Sequence, residues 1–309
     1  MNNSIKVLLD NIEKIIVGKR PVLEQLVTAL LCDGHVLIED VPGVGKTQIV
    51  GALARSVNGI FHRIQFTPDV MPSDVMGFSM FNPSTREFEY REGAAMCNFL
   101  LADEINRTSP KTQSSLLEIM EEFQVTVDRK TYSLPRPFMV LATQNPVECF
   151  GTYPLPEAQM DRFFLKLTIG YPGREGEMVI LDRFGSSNPA PALESVASTS
   201  DILDLQEQAK RVRIEPELKE YIIDIVEETR KSPDVILGVS PRGSLNLYRA
   251  AKAWAFIKGR DYVVPDDIQQ MAVPVLAHRI IMGSGAKMKN VTAADVVLGC
   301  IKNVKVPVL

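Results

Sequence analysis

Val36-Leu37-Ile38-Glu39-Asp40-Val41-Pro42-Gly43-Val44-Gly45-Lys46-Thr47 is the stretch on which the reading of this chain turns. Its aliphatic, partly β-branched start predicts a short strand, Pro42-Gly43-Val44-Gly45 a tight turn, and Lys46-Thr47 the opening of a helix over 48–57. Strand, glycine turn and helix in that order make a phosphate cradle. Glycine amides wrap phosphate oxygens, and the helix N-terminus adds partial positive charge. In such a cradle Pro42, Gly43, Val44, Gly45, Lys46, Thr47 and Gln48 border the nucleotide. Lys46 reaches the β and γ oxygens, and the Thr47 hydroxyl ligates magnesium. Asp40 stands where the pattern Gly-x-x-x-x-Gly-Lys-Ser/Thr has its first glycine, so its carboxylate is expected to point away from phosphate. Taken alone, the pattern also fits an ordinary glycine-rich strand-to-helix turn.

A second hydrophobic run, Phe99-Leu100-Leu101-Ala102-Asp103-Glu104, predicts a strand ending in two acids, after another candidate strand at Phe61–Gln65. In phosphate-loop NTPases the first acid holds Mg²⁺ and the following Glu polarises the attacking water. Asp103 and Glu104 fit those roles in order. On its own, an acidic pair after a strand is a solvated loop start. A third strand, Phe138-Met139-Val140-Leu141-Ala142-Thr143, runs into Gln144-Asn145-Pro146 and leaves Asn145 where it can hydrogen-bond the γ-phosphate or the water. Asn-Pro by itself is also a turn signal.

Four further blocks recur in one order: Glu104-Ile105-Asn106-Arg107, Ala142-Thr143-Gln144-Asn145-Pro146, Pro156-Glu157-Ala158-Gln159-Met160-Asp161-Arg162-Phe163 and Val239-Ser240-Pro241-Arg242. With them the chain resembles the MoxR-type AAA+ ATPases from Ile16-Val17-Gly18-Lys19 to Val264-Pro265-Asp266-Asp267-Ile268, nearly its whole length. The resemblance implies a Walker A segment at Gly43, Gly45, Lys46 and Thr47, and a Walker B pair at Asp103 and Glu104. It implies sensor 1 at Asn145, sensor 2 at the lid arginine Arg242, and an arginine finger at Arg162 that enters a neighbouring subunit's site. Val17 and Gly18 correspond to the adenine side. Arg107 is a further candidate for contact with a neighbouring subunit. The cofactors implied are ATP and Mg²⁺. The assembly implied is a homo-oligomeric ring, usually hexameric, that remodels a protein client, often beside a von Willebrand A domain partner. Read as residues alone, Arg162 also fits a salt bridge, and Arg242 a plain helix-start arginine with Ser240 as cap and Pro241 in the first turn.

Composition is that of an ordinary globular chain: 309 residues, 45% hydrophobic and 23% charged, with net charge −4. The acidic balance argues against a broad nucleic-acid footprint without excluding a local patch. No run approaches the ~20 apolar residues of a membrane span. Residues 1–20 contain acids and read as a short amphipathic helix rather than a signal peptide. Cys32, Cys97, Cys149 and Cys300 are scattered, as expected of free, mostly buried thiols in a reducing cytoplasm. His35, His62 and His278 are isolated and read as structural.

Strand and helix patterns alternate as far as Phe163-Phe164-Leu165-Lys166-Leu167, which predicts a three-layer α/β/α nucleotide-binding domain over 1–171 with a largely parallel sheet. Residues 172–309 read as an all-helical lid, with a loop-like stretch over 186–192. One helix carries Leu218, Tyr221, Ile222, Ile225 and Val226 behind Pro216. A second carries Leu245, Tyr248, Ala251, Trp254 and Ala255, and Pro265 opens a third. Two hairpin insertions are predicted near 78–93 and 124–134, matching the resemblance's helix-2 insert and pre-sensor-1 hairpin. They fit either a substrate-facing role or decorated edges. The leading expectation is Mg-dependent ATP hydrolysis driving chaperone-like remodelling of a protein client. Two alternatives stand beside it: a nucleic-acid-dependent motor related to minichromosome-maintenance helicases, and a non-hydrolysing nucleotide switch.

Overall fold

A computed structural model describes residues 1–40, 43–145, 152–184 and 193–307, so Pro42, Pro146, Cys149 and the 186–192 stretch lie outside the described residues. The first strands in chain order are β1 (Val36–Glu39), β2 (Phe61–Gln65), β3 (Gly77–Asn82), β4 (Glu87–Glu92) and β5 (Phe99–Asp103). They are followed by β6 (Gln124–Val127), β7 (Lys130–Ser133), β8 (Met139–Gln144) and β9 (Leu165–Leu167). Five of them form one sheet in the order β2-β5-β8-β1-β9. All its neighbours run parallel, with Val36 opposite Leu141 and Leu165, Phe99 opposite Met139, and Gln65 opposite Asp103.

Both faces of the central strands β1, β5 and β8 are dry, because alternate side chains enter two separate cores. Val36, Ile38, Leu101, Leu141 and Leu165 pack on one face, with Ile49 and Leu53 of the Lys46–Ser56 helix and the helices Asn3–Ile12 and Arg20–Leu31. Leu37, Leu100, Ala102, Val140 and Ala142 pack on the other, under Leu116, Leu117 and Met120 of the Pro110–Glu122 helix. Each such fully buried valine, leucine or isoleucine contributes about 1.5–3 kcal/mol. The three-layer α/β/α arrangement is therefore present, and the parallel strands deliver their C-terminal ends to one edge. The two predicted hairpins are present as β3–β4 and β6–β7.

Beyond β9 the chain is mainly helical. Leu218, Tyr221, Ile222, Ile225 and Val226 are all buried on the Pro216–Lys231 helix, and Pro265 opens Pro265–Leu276. Three details differ from expectation. First, this part is not all helix: β10 (Val235–Leu237) pairs antiparallel with β11 (Ile281–Met282). That pairing joins distant segments and leaves no local pattern. Second, Leu245 is 47% exposed, because the Pro241–Ile257 helix packs along Gly243, Leu247, Ala250, Ala251 and Trp254. Small residues set that face: a Cβ on Gly243 would meet Val239 Cγ1 at 2.3 Å. Third, Ser240 holds the N-cap position without a capping hydrogen bond; its hydroxyl instead donates to Asp161 Oδ2 at 3.0 Å.

The histidines are structural. His35 is buried, with Nε2 2.8 Å from the Met120 carbonyl and Nδ1 accepting the Val140 amide at 2.9 Å. His62 and His278 face the carbonyls of Ala94 and Phe163. Cys32, Cys97 and Cys300 are free; Cys97 and Cys300 are buried, and burial pushes the Cys97 thiol up to about 12. No helix among the described residues is long and apolar enough to cross a membrane.

Candidate active site

The site forms where β1, β5 and β8 end side by side, the edge at which parallel sheets bind ligands. After β1 the chain passes Asp40, which is buried and turned away: its Oδ2 accepts the amides of Ile169 at 2.7 Å and Gly170 at 2.6 Å. Gly43 (φ 86°) and Gly45 (φ 85°) are left-handed, a conformation that costs other residues strain, and the space where a Cβ would sit is open at both. Gly45 caps the Lys46–Ser56 helix without a side-chain bond, so the first-turn amides of Lys46, Thr47 and Gln48 keep their donor capacity toward the cleft. Lys46 Nζ lies back on the loop, donating to the Asp40 carbonyl at 2.8 Å. Burial pushes the Lys46 ammonium pKa down, while Asp40, Asp103 and Glu104 oppose that shift.

A cleft of about 630 Å³ opens above this turn, a size typical of small-ligand sites. Gly43, Val44, Gly45, Lys46, Thr47 and Gln48 line it together with Asp103, Glu104 and Asn145. Ile15, Ile16, Val17, Pro172 and Ile180 form an apolar end suited to a base, with Lys19 beside them. Val17 is thus in the lining, and Gly18 (φ 68°) lies beside it, outside the lining set. Lys19 Nζ donates to the Ile169 and Tyr171 carbonyls, which ties the N-terminal entry to the segment that also holds Asp40.

The acids are held from the two strands that flank β5. Thr143 Oγ1 on β8 donates to Asp103 Oδ1 at 2.6 Å and accepts the Glu104 amide at 2.9 Å. Glu104 adopts φ 57°, ψ 50°, a left-handed conformation that costs a non-glycine residue about 1 kcal/mol or more. On β2, Arg63 pairs with Asp103 Oδ2 at 2.7 Å and Gln65 Nε2 donates to Glu104 Oε2 at 2.7 Å. Arg107 pairs with Glu104 of its own chain at 2.8 Å. Asn145 is buried at the end of β8 and faces the same cleft.

Arg162 and Arg242 lie elsewhere. Neither lines the cleft. Arg162 Nη1 is 3.1 Å from Glu121 Oε2, and Arg242 Nη2 is 2.9 Å from Glu121 Oε1. Arg63, Gln65, Thr143 and Glu121 carry no local signal in the sequence that marks them for this arrangement. Arg63 and Gln65 share one face of β2 by the two-residue period of a strand, but that β2 neighbours β5 is a fact of the folded sheet.

The donor set fits a magnesium nucleotide. A hydroxyl (Thr47) and a carboxylate (Asp103) are hard oxygen ligands, and Mg²⁺ takes only one or two from protein when phosphates and water supply the rest. Among the described residues no cluster of three or more His, Cys, Asp or Glu could hold a metal alone.

Strand order, glycine turn and acid pair define a P-loop ATPase. Residues 35–165 match the family described as ATPase family associated with various cellular activities (AAA), and residues 227–298 match the AAA lid domain. The chain is 53% identical to the uncharacterized protein YeaC of Bacillus subtilis strain 168, covering 97% of this chain and 94% of that one. It is 42% identical to Chaperone MoxR1 of Mycobacterium tuberculosis, covering 96% and 80%. A provisionally assigned ATPase from Cytophaga hutchinsonii superposes with a TM-score of 0.93 at 40% identity, covering 99% and 96%. The chain belongs to the MoxR-type AAA+ ATPases.

Proposed function

We propose that the chain hydrolyses Mg·ATP as one subunit of a hexameric ring in the cytoplasm, and that the cycle drives chaperone-like remodelling of a protein client, with a von Willebrand A domain protein as the partner class. The nucleotide-binding domain spans 1–171 and the lid 172–309. Support for that boundary is the end of the central sheet at Leu167 and the two family matches on either side of it.

In this reading the amides of 43–48 and Lys46 hold the phosphates. Val17 and Gly18 border the base. Thr47 and Asp103 would hold magnesium, which when bound would neutralise phosphate charge. Glu104 accepts the proton of the attacking water. The water oxygen bonds to the γ phosphorus as the bond to the β–γ bridging oxygen breaks, giving ADP and inorganic phosphate. Asn145 orients the water or the γ-phosphate. Glu104 must first leave Gln65 and Arg107, which hold it now.

One observation carries the ring: the cleft gathers the cradle, both acids and Asn145, while Arg162 and Arg242 stand outside it on Glu121. Arg63 also lines the cleft but is paired with Asp103 at 2.7 Å; in this reading the completing arginine comes from another copy, and such arginines supply about 10³–10⁵ in rate. The test is ATP turnover per subunit against protein concentration, with mass followed in solution and Glu104→Gln as control. Turnover that rises with assembly and vanishes in Glu104→Gln supports the reading. Flat turnover in a monomer overturns the shared site, and ATP binding without turnover at any concentration makes the chain a nucleotide switch.

A further inference from the structure

Glu121 sits in the last turn of the Pro110–Glu122 helix, where the helix dipole disfavours a carboxylate. It is nonetheless the shared partner of two arginines from distant parts of the chain, one guanidinium on each oxygen. The two arginine carriers are joined next to the arginines themselves. Asp161, beside Arg162, accepts the Ser240 hydroxyl at 3.0 Å, two residues before Arg242. The same Asp161 forms an ion pair at 2.8 Å with Arg279, whose side chain is 1% exposed. Arg162 and Arg242 are therefore a preassembled pair, held in place by a buried anchor that does not depend on Glu121.

Two guanidiniums arranged around two oxygens of one anion suit a phosphoryl group as well as a carboxylate. Glu121 is half-buried and Arg242 is 47% exposed, so the carboxylate can leave without breaking a core. We propose that Glu121 is a latch. In the free chain it fills the anion site between Arg162 and Arg242, and on assembly it gives both arginines up to the terminal phosphate of a nucleotide bound by the neighbouring copy. This inference rests on the shared-site reading above. Glu121 is a positioning residue, acting through the arginines, and it sets how readily copies join when nucleotide is bound.

The test is sedimentation of the full chain over a range of concentrations with ATPγS and magnesium, comparing the parent with Glu121→Gln and Glu121→Ala. Both variants should assemble at about three- to tenfold lower concentration than the parent, the size of effect expected from releasing two half-exposed ion pairs. The shift should be absent when Arg162→Ala is added to Glu121→Gln, because no finger remains to be freed. An unchanged or higher assembly concentration in both single variants, with parental melting temperature, overturns the latch alone. A parent that fails to assemble with ATPγS at any concentration overturns the shared site and the latch with it.

Discussion

The Asp40 carboxylate accepts the Gly170 backbone amide at 2.6 Å, and the Ile169 amide at 2.7 Å, so the start of the phosphate turn is tied to the chain leaving β9. The residue that looks least suited to a phosphate loop is thus a structural anchor facing away from the ligand.

Asp40→Gly restores the first glycine of the strict phosphate-loop pattern, yet it removes a buried charged acceptor from two amides. Urea unfolding should show a loss of about 2–4 kcal/mol, and nucleotide affinity should not rise. Tighter binding with unchanged stability would mean that Asp40 opposes phosphate rather than anchoring the turn.

Thr143 is the bridge between the two acids. Thr143→Val keeps the shape of the side chain and removes both the bond to Asp103 and the acceptor for the Glu104 amide. If Glu104 acts on the attacking water, turnover should fall about 10–100-fold, a loss of the order of one misplaced acid–base group. Nucleotide affinity should change by less than about threefold, since the cradle amides are untouched. Thr143→Ser should keep most of the activity. Equal losses in the serine and valine variants would make the methyl, not the hydroxyl, the part that matters.

Much of this site was legible because phosphate loops are local: strand, glycines and helix follow one another within a dozen residues, and their conformations are dictated by residue type. Asp103, Glu104 and Asn145 were legible for a similar reason, each closing a hydrophobic run. What escaped depends on strand order and on packing between distant segments. Arg63 reaches Asp103 only because β2 lies against β5. Glu121 gains its partners from residues 162 and 242. The β10–β11 pair and the outward face of Leu245 escaped likewise, since both are decided by what lies opposite.

His35 gives the fold an acid limit. Burial holds its pKa at about 4 in the folded chain, against 6.5 when exposed. Between those values the unfolded chain binds more protons, so the stability is fully present above pH 6.5 and is lost as pH falls to about 4. His278, also pushed down by burial, adds in the same direction. For His35 alone the loss is about 3 kcal/mol. His35→Asn keeps an acceptor for the Val140 amide but does not titrate. It should be less stable than the parent at pH 7, and the gap in urea midpoint should close on acidification toward pH 4.5. A constant gap would mean that the ring protonates without cost.

Arg162 is the residue whose role can be read by mixing. Arg162→Ala leaves the cradle intact, and Lys46→Ala removes the phosphate lysine but leaves Arg162 in place. Each variant alone should turn over ATP at least about 10³-fold more slowly than the parent, the low end for a missing transition-state arginine. Mixed assemblies bring an intact cradle beside an intact Arg162 wherever an Arg162→Ala subunit receives the finger of a Lys46→Ala neighbour. At equal proportions and random order that occurs at about one head-to-tail interface in four, so roughly a quarter of parental turnover should return. Mass measurement of the mixture verifies that the two variants share one assembly. Mixed assemblies with no recovered turnover would place the action of Arg162 within its own chain, and the Glu121 pairing would then be a surface contact without a catalytic partner.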